Sequence, residues 1–152
     1  MNVHIREAQV EDAEAITDLI VGAAKFFLAE TSGKEAEDFF GTVSAEAMRR
    51  RILDPSFQKL VAIVEGEMAG VLVMQENGHL YHLFVGERYH RQGLARQMWD
   101  RAREDAMAAG NPGTFTLNST LYAVSVYESL GFRATGERVR KYGAEFVAMR
   151  LE

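Results

Sequence analysis

The chain has 152 residues and a net charge of −5, and its 47% hydrophobic and 26% charged residues are typical of one folded domain spanning residues 1–152. The absence of cysteine excludes a disulfide framework, a thiolate metal site and a cysteine nucleophile. The negative charge argues against a nucleic-acid partner, and the lack of an apolar leader or a membrane-length apolar run predicts a soluble, cytoplasmic protein with no membrane partner.

The first third of the chain is predicted to form one strand and two helices. A short strand over "VHIREA" precedes apolar residues at helical spacing, which begin after the capping residue Asp12. The segment "GKEAEDFFG" is interpreted as a loop. A second helix over "SAEAMRRRIL" begins at its cap, Ser44, and ends before "DPS", and its "RRR" triplet, Arg49 to Arg51, is interpreted as a solvated face.

Three strands are predicted next, over "KLVAIVE", "MAGVLVMQE" and "HLYHLFV". The last two flank Asn77-Gly78, a pair that favours positive φ at both residues and therefore predicts a hairpin turn. A long helix begins at about Gln92 and ends at "AGNPG", because glycine and proline stop helices.

The remaining elements are a strand over "TFTLN", a helix over "LYAVSVYESL" closed by Gly131, and two final strands over "FRATGE" and "EFVAMRL". The predicted order is therefore β-α-α-β-β-β-α-β-α-β-β. This order is typical of a mixed α/β domain.

The junction "HRQGLA" between a buried strand and the long helix has the composition of an anion-binding turn. Unpaired N–H groups and the helix dipole favour a phosphate there, Gly93 allows close backbone approach, and Ala95 does not cover the site. Arg88, Arg91 and Arg96 add positive charge. The alternative is a tight structural turn with solvated arginines. The P-loop and the dinucleotide-binding GxGxxG pattern are both absent.

The sequence resembles the GNAT superfamily of N-acetyltransferases. "HRQGLA" matches the family's Gln/Arg-x-x-Gly-x-Gly/Ala signature except at its first position, where His90 stands. "NSTLYAVSVYESLGF" resembles a second motif that ends in Tyr-x-x-x-Gly-Phe at Tyr127, Gly131 and Phe132. "IREAQVEDAEAI" and "GAEFVAMRL" resemble the usual first and last segments, so the likeness covers essentially the whole chain.

The resemblance implies a twisted mixed sheet of about six to seven strands flanked by about four helices, with strands 4 and 5 splayed apart by a bulge that opens a cofactor slot. It also implies acetyl-CoA as cosubstrate and direct ternary-complex transfer of acetyl to a primary amine of a small molecule, peptide or protein. Homodimers are common among relatives. Two alternatives are a catalytically silent CoA-binding module and an interaction domain whose glycine turn is only structural.

The resemblance assigns cofactor contacts to three segments. The backbone along strand 4 would run beside the pantetheine arm, and the glycine turn would hold the diphosphate. Many relatives have a CoA-contacting asparagine at the position of Thr120, and the nearby Asn118 would take over its contact here. The cofactor-binding residues expected from this are Leu83, Phe84, Val85, Arg91, Gln92, Gly93, Leu94, Ala95, Arg96 and Asn118.

Acetyl transfer requires a polarised thioester carbonyl, a proton for the departing thiolate and a neutral amine. A strand N–H near Phe84 or Val85 would polarise the carbonyl. The resemblance makes Tyr127 the general acid, because a phenol with a pKa near ~10 can protonate a thiolate whose acid has a pKa near ~8.5. The alternative for Tyr127 is a core residue that packs an amphipathic helix.

Three residues are base candidates: His79, His82 and Glu76. In a regular strand the two histidines would face opposite sides, and His82 would share a face with Leu80 and Phe84. A histidine with a pKa near ~6.5 suits the task. The alternatives are hydrogen-bonded core histidines, a solvated glutamate and a water relay. The four histidines of the chain have no metal-ligand spacing.

The segment between the first two helices carries four acids and two Phe pairs, and it would suit a cationic amine. The acids are Glu30, Glu35, Glu37 and Asp38. The alternative is a mobile loop with its aromatic residues in the core. Tyr142, in the last hairpin, is a further candidate for the acceptor side.

Overall fold

The structure is a computed structural model that describes residues 2–152, which form one seven-stranded sheet and five α-helices. The strands are β1 (Val3–Glu7), β2 (Phe57–Val64), β3 (Glu67–Gln75), β4 (His79–Val85), β5 (Phe115–Thr120), β6 (Arg133–Lys141) and β7 (Ala144–Leu151). The helices are α1 (Ala13–Ala23), α2 (Lys34–Thr42), α3 (Ala45–Leu53), α4 (Leu94–Ala108) and α5 (Val124–Ser129). Over the described residues, every helix is too short or too polar to cross a membrane.

The strands follow the order β1-β2-β3-β4-β5-β7-β6, and all neighbours are antiparallel except β4 and β5. The parallel β4–β5 ladder contains only two pairs, His79 with Thr116 and Leu80 with Leu117. Beyond these pairs the two strands separate, so the mixed sheet with splayed fourth and fifth strands is confirmed. We call the gap between the separated parts of β4 and β5 the slot.

A β-bulge at Tyr81 interrupts the pairing of β4 with β3. Met74 pairs with Leu80 and the preceding residue, Val73, pairs with His82, so Tyr81 is the extra residue of β4. A bulge of this kind adds one residue to one strand and re-aims the side chains that follow it. It lies immediately after the last β4–β5 pair and marks the deep end of the slot.

The bulge overturns the predicted orientation of the two β4 histidines. The β3 partners of His79 and His82 are two residues apart, so both histidines lie on the same face of the sheet. Leu80 lies on the opposite face, in the core under α4. Phe84 lies on the face of His82, as predicted. The alternation expected from an uninterrupted strand fails because one added residue inverts the face of every later side chain.

The sheet carries a separate hydrophobic core on each face. Under α4 and α5, Trp99 contacts Phe115 edge to face at 5.0 Å and Phe132 at 5.2 Å between ring centroids. Under α1, α2 and α3, the fully buried residues include Ile16 and Met48. Burying an aliphatic or aromatic side chain stabilises the fold by roughly 1.5–3 kcal/mol, so both layers hold the splayed sheet in shape.

The segment predicted as a loop between the first two helices is α2. Ala36 and Phe39 are buried three residues apart on one helix face, and Lys34 pairs with Asp38 at 2.9 Å. Four of the six residues 34–39 are charged, which hides this periodicity in the sequence. Packing of Phe39 against Phe27, edge to face at 5.3 Å, stabilises the short helix.

Capping differs between the two predicted helix starts. Ser44 caps α3 as predicted, because its Oγ accepts a hydrogen bond from Ala47 N at 3.2 Å. The carboxylate of Asp12 instead accepts from Gln9 N at 2.7 Å and pairs with Arg6 at 2.8 Å, so it organises a 3-10 turn before α1. The Arg6 pairing lowers the pKa of Asp12.

The β3–β4 turn is shifted one residue from its predicted place. The residues with positive φ are Glu76 (49°) and Asn77 (58°), and Gly78 N donates to Gln75 O at 3.2 Å. Gly78 serves a different purpose: a Cβ on it would lie 3.3 Å from Nδ2 of Asn111. The glycine therefore permits a close approach of the loop before β5.

Candidate active site

The slot is bordered by strand edges whose backbone groups lack a neighbouring strand. Gly86 N donates to Ala69 O at 2.8 Å, so the backbone of Gly86 faces β3. Because backbone groups alternate along a strand, those of Leu83 and Val85 face the slot and those of Phe84 face β3. Of the two predicted N–H groups, that of Val85 therefore faces the slot and that of Phe84 faces β3.

The side chain of His90 hydrogen-bonds to one of the carbonyl groups on this edge, that of Val85. Its Nε2 lies 2.8 Å from Val85 O, and because a carbonyl only accepts, the ring carries its proton on Nε2. The residue that departs from the family signature therefore has a structural partner in β4. The remaining free backbone groups on this edge include those of Leu83.

The turn between β4 and α4 presents consecutive free N–H groups. Arg91 (φ 62°) and Gly93 (φ 78°) are both left-handed, and the first bond into the helix runs from Gln97 N to Gly93 O at 3.1 Å. Within residues 2–152, no backbone bond uses the N–H groups of residues 91–96. A Cβ built on Gly93 would meet nothing within 4 Å. Free N–H groups at a helix N-terminus have the geometry that commonly binds anions.

The three arginines near the turn have different partners. Arg88 pairs with Glu67 at 2.9 Å, and Arg96 donates to Ser129 O, at the C-terminal end of α5, at 2.6 Å. Arg91 makes no ion pair or side-chain hydrogen bond with any residue that the structure describes. Of these three arginines, Arg91 is therefore the one whose guanidinium has no partner among the described residues.

Tyr127 lies in α5, on the α4 side of the sheet. It is only 9% exposed, and its ring meets Phe132 edge to face at 6.0 Å. Burial raises the pKa of its phenol, so the group is protonated and can donate across the physiological range. The Tyr127 hydroxyl forms no hydrogen bond with the described residues. Because every fully buried side-chain oxygen among them has a hydrogen-bond partner, this hydroxyl must reach accessible space.

His82 lies on the opposite face of the sheet, against Arg51. Its Nε2 is 3.4 Å from Nη1 of Arg51. Burial, together with the charge of Arg51, lowers the pKa of His82 to about 3, so the imidazole is neutral. The Arg51 guanidinium also donates to Thr42 O and to Met48 Sδ, and it lies over the Tyr81 ring at 5.1 Å.

These contacts overturn part of the prediction for the arginine triplet. Arg49 and Arg50 are on a solvated face and pair with Glu14 at 3.5 Å and Glu46 at 2.7 Å. Arg51 instead turns inward, because helical geometry places successive residues about 100° apart. No sequence signal separates it from its two neighbours.

Of the other two base candidates, only His79 lies at the deep end of the slot. Nδ1 of His79 is 2.8 Å from Oγ1 of Thr116, and burial lowers the pKa of His79. Glu76 is exposed in the β3–β4 turn, beyond the paired end of β4. Asn118 is exposed on β5, on the face of Thr116 and the two histidines. The structure thus groups His79, His82 and Asn118 on one face, and Glu76 stands apart.

An aromatic bridge, which sequence analysis missed, spans the open end of the slot. Phe26 stacks on Tyr122 with centroids 5.3 Å apart and meets the His90 ring at 5.5 Å. Tyr122 follows β5 and His90 follows β4, so Phe26 joins the two sides. Lys25 holds this segment through an ion pair with Glu87 at 2.8 Å. Only the Phe26-Phe27 pair in the sequence hints at this role.

A cleft of about 310 Å³ lies between the α1–α2 connection and the β6–β7 hairpin. Glu30 and Glu35 line it together with Lys34 and Arg140, and Arg140 lies 4.0 Å from Glu35. The predicted acidic segment is therefore partly neutralised. Tyr142 packs on Phe39 at 6.3 Å. Within the described residues, no group of three or more His, Asp or Glu side chains is placed to hold a metal ion.

The fold is shared with solved acetyltransferase structures. PaiA N-acetyltransferase from Thermoplasma acidophilum, in complex with coenzyme A, superposes with a TM-score of 0.84 at 19% identity and covers 100% of this chain and 99% of its own. The putative acetyltransferase YncA from Salmonella typhimurium, with acetyl-CoA, gives 0.69 at 18% identity, over 100% and 94%. A variant of the spermidine N-acetyltransferase SpeG from Vibrio cholerae gives 0.68 at 17%, over 98% and 92%.

Sequence comparison finds no match among curated proteins. The model of the acetyltransferase (GNAT) domain matches residues 27–152, which include the slot, the turn at residues 91–96 and Tyr127. The chain therefore belongs to the GNAT acetyltransferase family, an acyltransferase family, as the resemblance implied.

Proposed function

We propose that this protein transfers the acetyl group of acetyl-CoA directly to a primary amine within a ternary complex. The observation that carries the proposal is the run of free N–H groups at residues 91–96, beside the slot between β4 and β5. Membership of the acetyltransferase family and a structural neighbour that holds coenzyme A support acetyl-CoA as the cosubstrate.

The residues around the slot fit the chemistry of this cosubstrate. The N–H groups of residues 91–96 and the guanidinium of Arg91 would bind the diphosphate, with Gly93 leaving space for it. The slot-facing C=O of Leu83 and N–H of Val85 would hydrogen-bond the amide-rich pantetheine arm, and Asn118 would contact it from β5. The aromatic bridge of Phe26 and Tyr122 would shield the bound arm from water.

Tyr127 would protonate the departing thiolate. Its buried phenol is neutral, and its side chain belongs to the core on the α4 face of the sheet. The acceptor amine would then approach from the opposite face, where His79 and Asn118 lie. Placing the proton donor and the nucleophile on different faces of the reacting carbonyl suits a direct displacement, and general acid catalysis contributes roughly 10²–10⁴-fold.

The amine must lose a proton before it attacks. An alkyl amine with a pKa near ~10.4 is only about 0.04% neutral at pH 7, so a proton acceptor is needed. We favour His79, directly or through a water, because its partly buried ring stands at the deep end of the slot on the acceptor face. Glu76 is the weaker candidate, because it lies beyond the paired end of the slot.

The acceptor is proposed only as a class, the primary amine of a small molecule, peptide or protein. The cleft of about 310 Å³ beside the α1–α2 connection offers both carboxylates and cations to an acceptor's distal groups. Spermidine, the acceptor named for the Vibrio cholerae enzyme, is one member of the class.

The test combines calorimetry of acetyl-CoA binding with thiol release over a panel of polyamines, amino acids and peptides. We expect binding at micromolar affinity and amine-dependent thiol release. Binding without turnover on any amine would identify the silent CoA-binding module. Absence of binding would reject the acetyl-CoA assignment and leave the glycine turn as a structural feature.

A further inference from the structure

We propose that His82 is a hydrogen-bond donor to the thioester oxygen through its Nδ1–H, and that Arg51 is the positioning residue that holds it in this tautomer. The inference rests on the proposed function for the identity of the oxygen. It replaces the interpretation of His82 as a general base.

The tautomer follows from the chemistry of Arg51. A guanidinium has five N–H donors and no acceptor, so Nε2 of His82, 3.4 Å away, must present its lone pair. The ring proton then lies on Nδ1. The contact is long for a hydrogen bond, but the guanidinium is held in place by Thr42 O, Met48 Sδ and the face of Tyr81.

The position of Nδ1 follows from burial and strand register. Within residues 2–152, Nδ1 of His82 has no hydrogen-bond partner. Every fully buried side-chain nitrogen among these residues does have a partner, so Nδ1 must reach accessible space. His82 lies two residues beyond Leu80, the last β4 residue paired with β5. It is flanked by Leu83, whose N–H faces the slot. The bulge at Tyr81 therefore places His82 and Leu83 at the same stretch of the slot edge, and we assign the accessible space beside Nδ1 to the slot.

Two such donors suit the charge that develops during acyl transfer. As the amine nitrogen bonds to the carbonyl carbon, negative charge grows on the oxygen, which Leu83 N–H and His82 Nδ1–H would stabilise. The C–S bond then breaks, its electron pair leaves with sulfur, and sulfur takes the proton of Tyr127. The proton of the amine goes to His79 or water. His82 does not change its protonation, because its one lone pair is already engaged.

Two isosteric substitutions separate the donor role from a base role. In His82→Asn the amide nitrogen can occupy the place of Nδ1, whereas in His82→Gln it reaches the place of Nε2. We expect His82→Asn to keep kcat within about 10-fold of the wild type, and His82→Gln to lose roughly 100-fold, the usual loss of one oxyanion donor. Equal losses in both variants, with the acid limb of the pH profile removed, would overturn the donor role.

Imidazole ¹⁵N NMR tests the tautomer without any turnover. We expect the Nδ1–H form in the wild type at pH 7 and a mixture of tautomers in Arg51→Met. The exposed, matched control Arg50→Met should leave the tautomer unchanged. An Nε2–H form or an imidazolium in the wild type would reject the inference.

The two proposals can fail separately. Calorimetry of the wild-type protein with acetyl-CoA decides the proposed function, and the NMR tautomer decides the Arg51–His82 arrangement. A wild type that binds no acetyl-CoA but shows Nδ1–H would overturn the catalytic role of His82 and keep only its tautomer.

Discussion

At the scale of single residues, burial decides which of the titratable groups near the slot can exchange protons. Tyr127 and His82 are both 9% exposed, and burial keeps each in its neutral form, the phenol protonated and the imidazole uncharged. The same physical cause therefore acts on two groups that lie on opposite faces of the sheet. A motif predicts the residue types, but only their burial and partners define their roles.

The role of Tyr127 can be tested by removing one oxygen. In Tyr127→Phe the ring keeps its contact with Phe132, so the core should be preserved. We expect kcat to fall by about 100-fold or more, because the thiolate would leave without a proton donor, and the Kd for acetyl-CoA to change by less than about 2-fold. Steady-state kinetics and calorimetry measure the two quantities. An unchanged kcat would make Tyr127 a packing residue.

The anion site can be tested by filling the space at Gly93. We expect Gly93→Glu to weaken acetyl-CoA binding by roughly 100-fold or more, because a carboxylate would oppose the diphosphate in both bulk and charge. Gly66→Glu is the matched control, since Gly66 has nearly the same φ, 80° against 78°, and the same open surroundings. Calorimetry on both variants compares them, and equal affinities would contradict the site.

At the scale of elements, Asn111 connects the parts that close the deep end of the slot. Its Nδ2 donates to Asn77 O at 2.7 Å and to Thr114 O at 2.9 Å. Its Oδ1 accepts from Gly113 N at 2.6 Å and Thr114 N at 3.0 Å. The β3–β4 turn is thereby tied to the start of β5. This tie explains why two strands that pair at only two positions remain joined there.

We expect Asn111→Ala to lower the free energy of unfolding by about 2–4 kcal/mol, because four hydrogen bonds are lost in a partly buried loop. Urea unfolding followed by circular dichroism measures this. Asn118→Ala is the control, since Asn118 is exposed on β5 and should change stability by less than about 0.5 kcal/mol. Equal losses in the two variants would contradict the connecting role.

At the scale of the whole molecule, a buried neutral imidazole ties the stability of the fold to pH. The pKa of His82 is about 3 in the folded state and 6.5 for the ordinary side chain. Between these values the unfolded chain binds one more proton than the folded protein. Stability is therefore complete above about pH 6.5 and decreases as the pH falls toward 3. The paired Asp12 adds a loss of the same sign at lower pH.

We expect the free energy of unfolding to be roughly 2–3 kcal/mol lower at pH 4.5 than at pH 7, since each pKa unit corresponds to about 1.4 kcal/mol. Urea titrations at both pH values measure the difference. In His82→Leu most of this difference should disappear, whatever the stability at pH 7, and a smaller part should remain because burial also lowers the pKa of His79. His4→Leu, at an exposed position of β1, should retain it. A persistent difference in His82→Leu would assign the acid sensitivity to other groups.

Much of the architecture was readable from local patterns. The bounds of six of the seven strands and four of the five helices agree with the predicted segments to within a few residues at each end. The seventh strand, β6, continues four residues past "FRATGE". Apolar periodicity, the Ser44 cap and glycine-containing turns act over a few residues, so they are visible in one dimension. Helix α2 was missed because its stability comes from contacts of Phe39 with distant parts of the chain.

The sequence by itself determined the order of the elements, the glycine-containing turn before α4 and the likeness to the acetyltransferase family. The tertiary structure decided the separation of β4 from β5, the bulge at Tyr81, the inward turn of Arg51 and the common face of His79 and His82. The physical reason is range: propensity and turn chemistry depend on neighbours along the chain, whereas register, burial and the choice of hydrogen-bond partner depend on residues brought together only by folding.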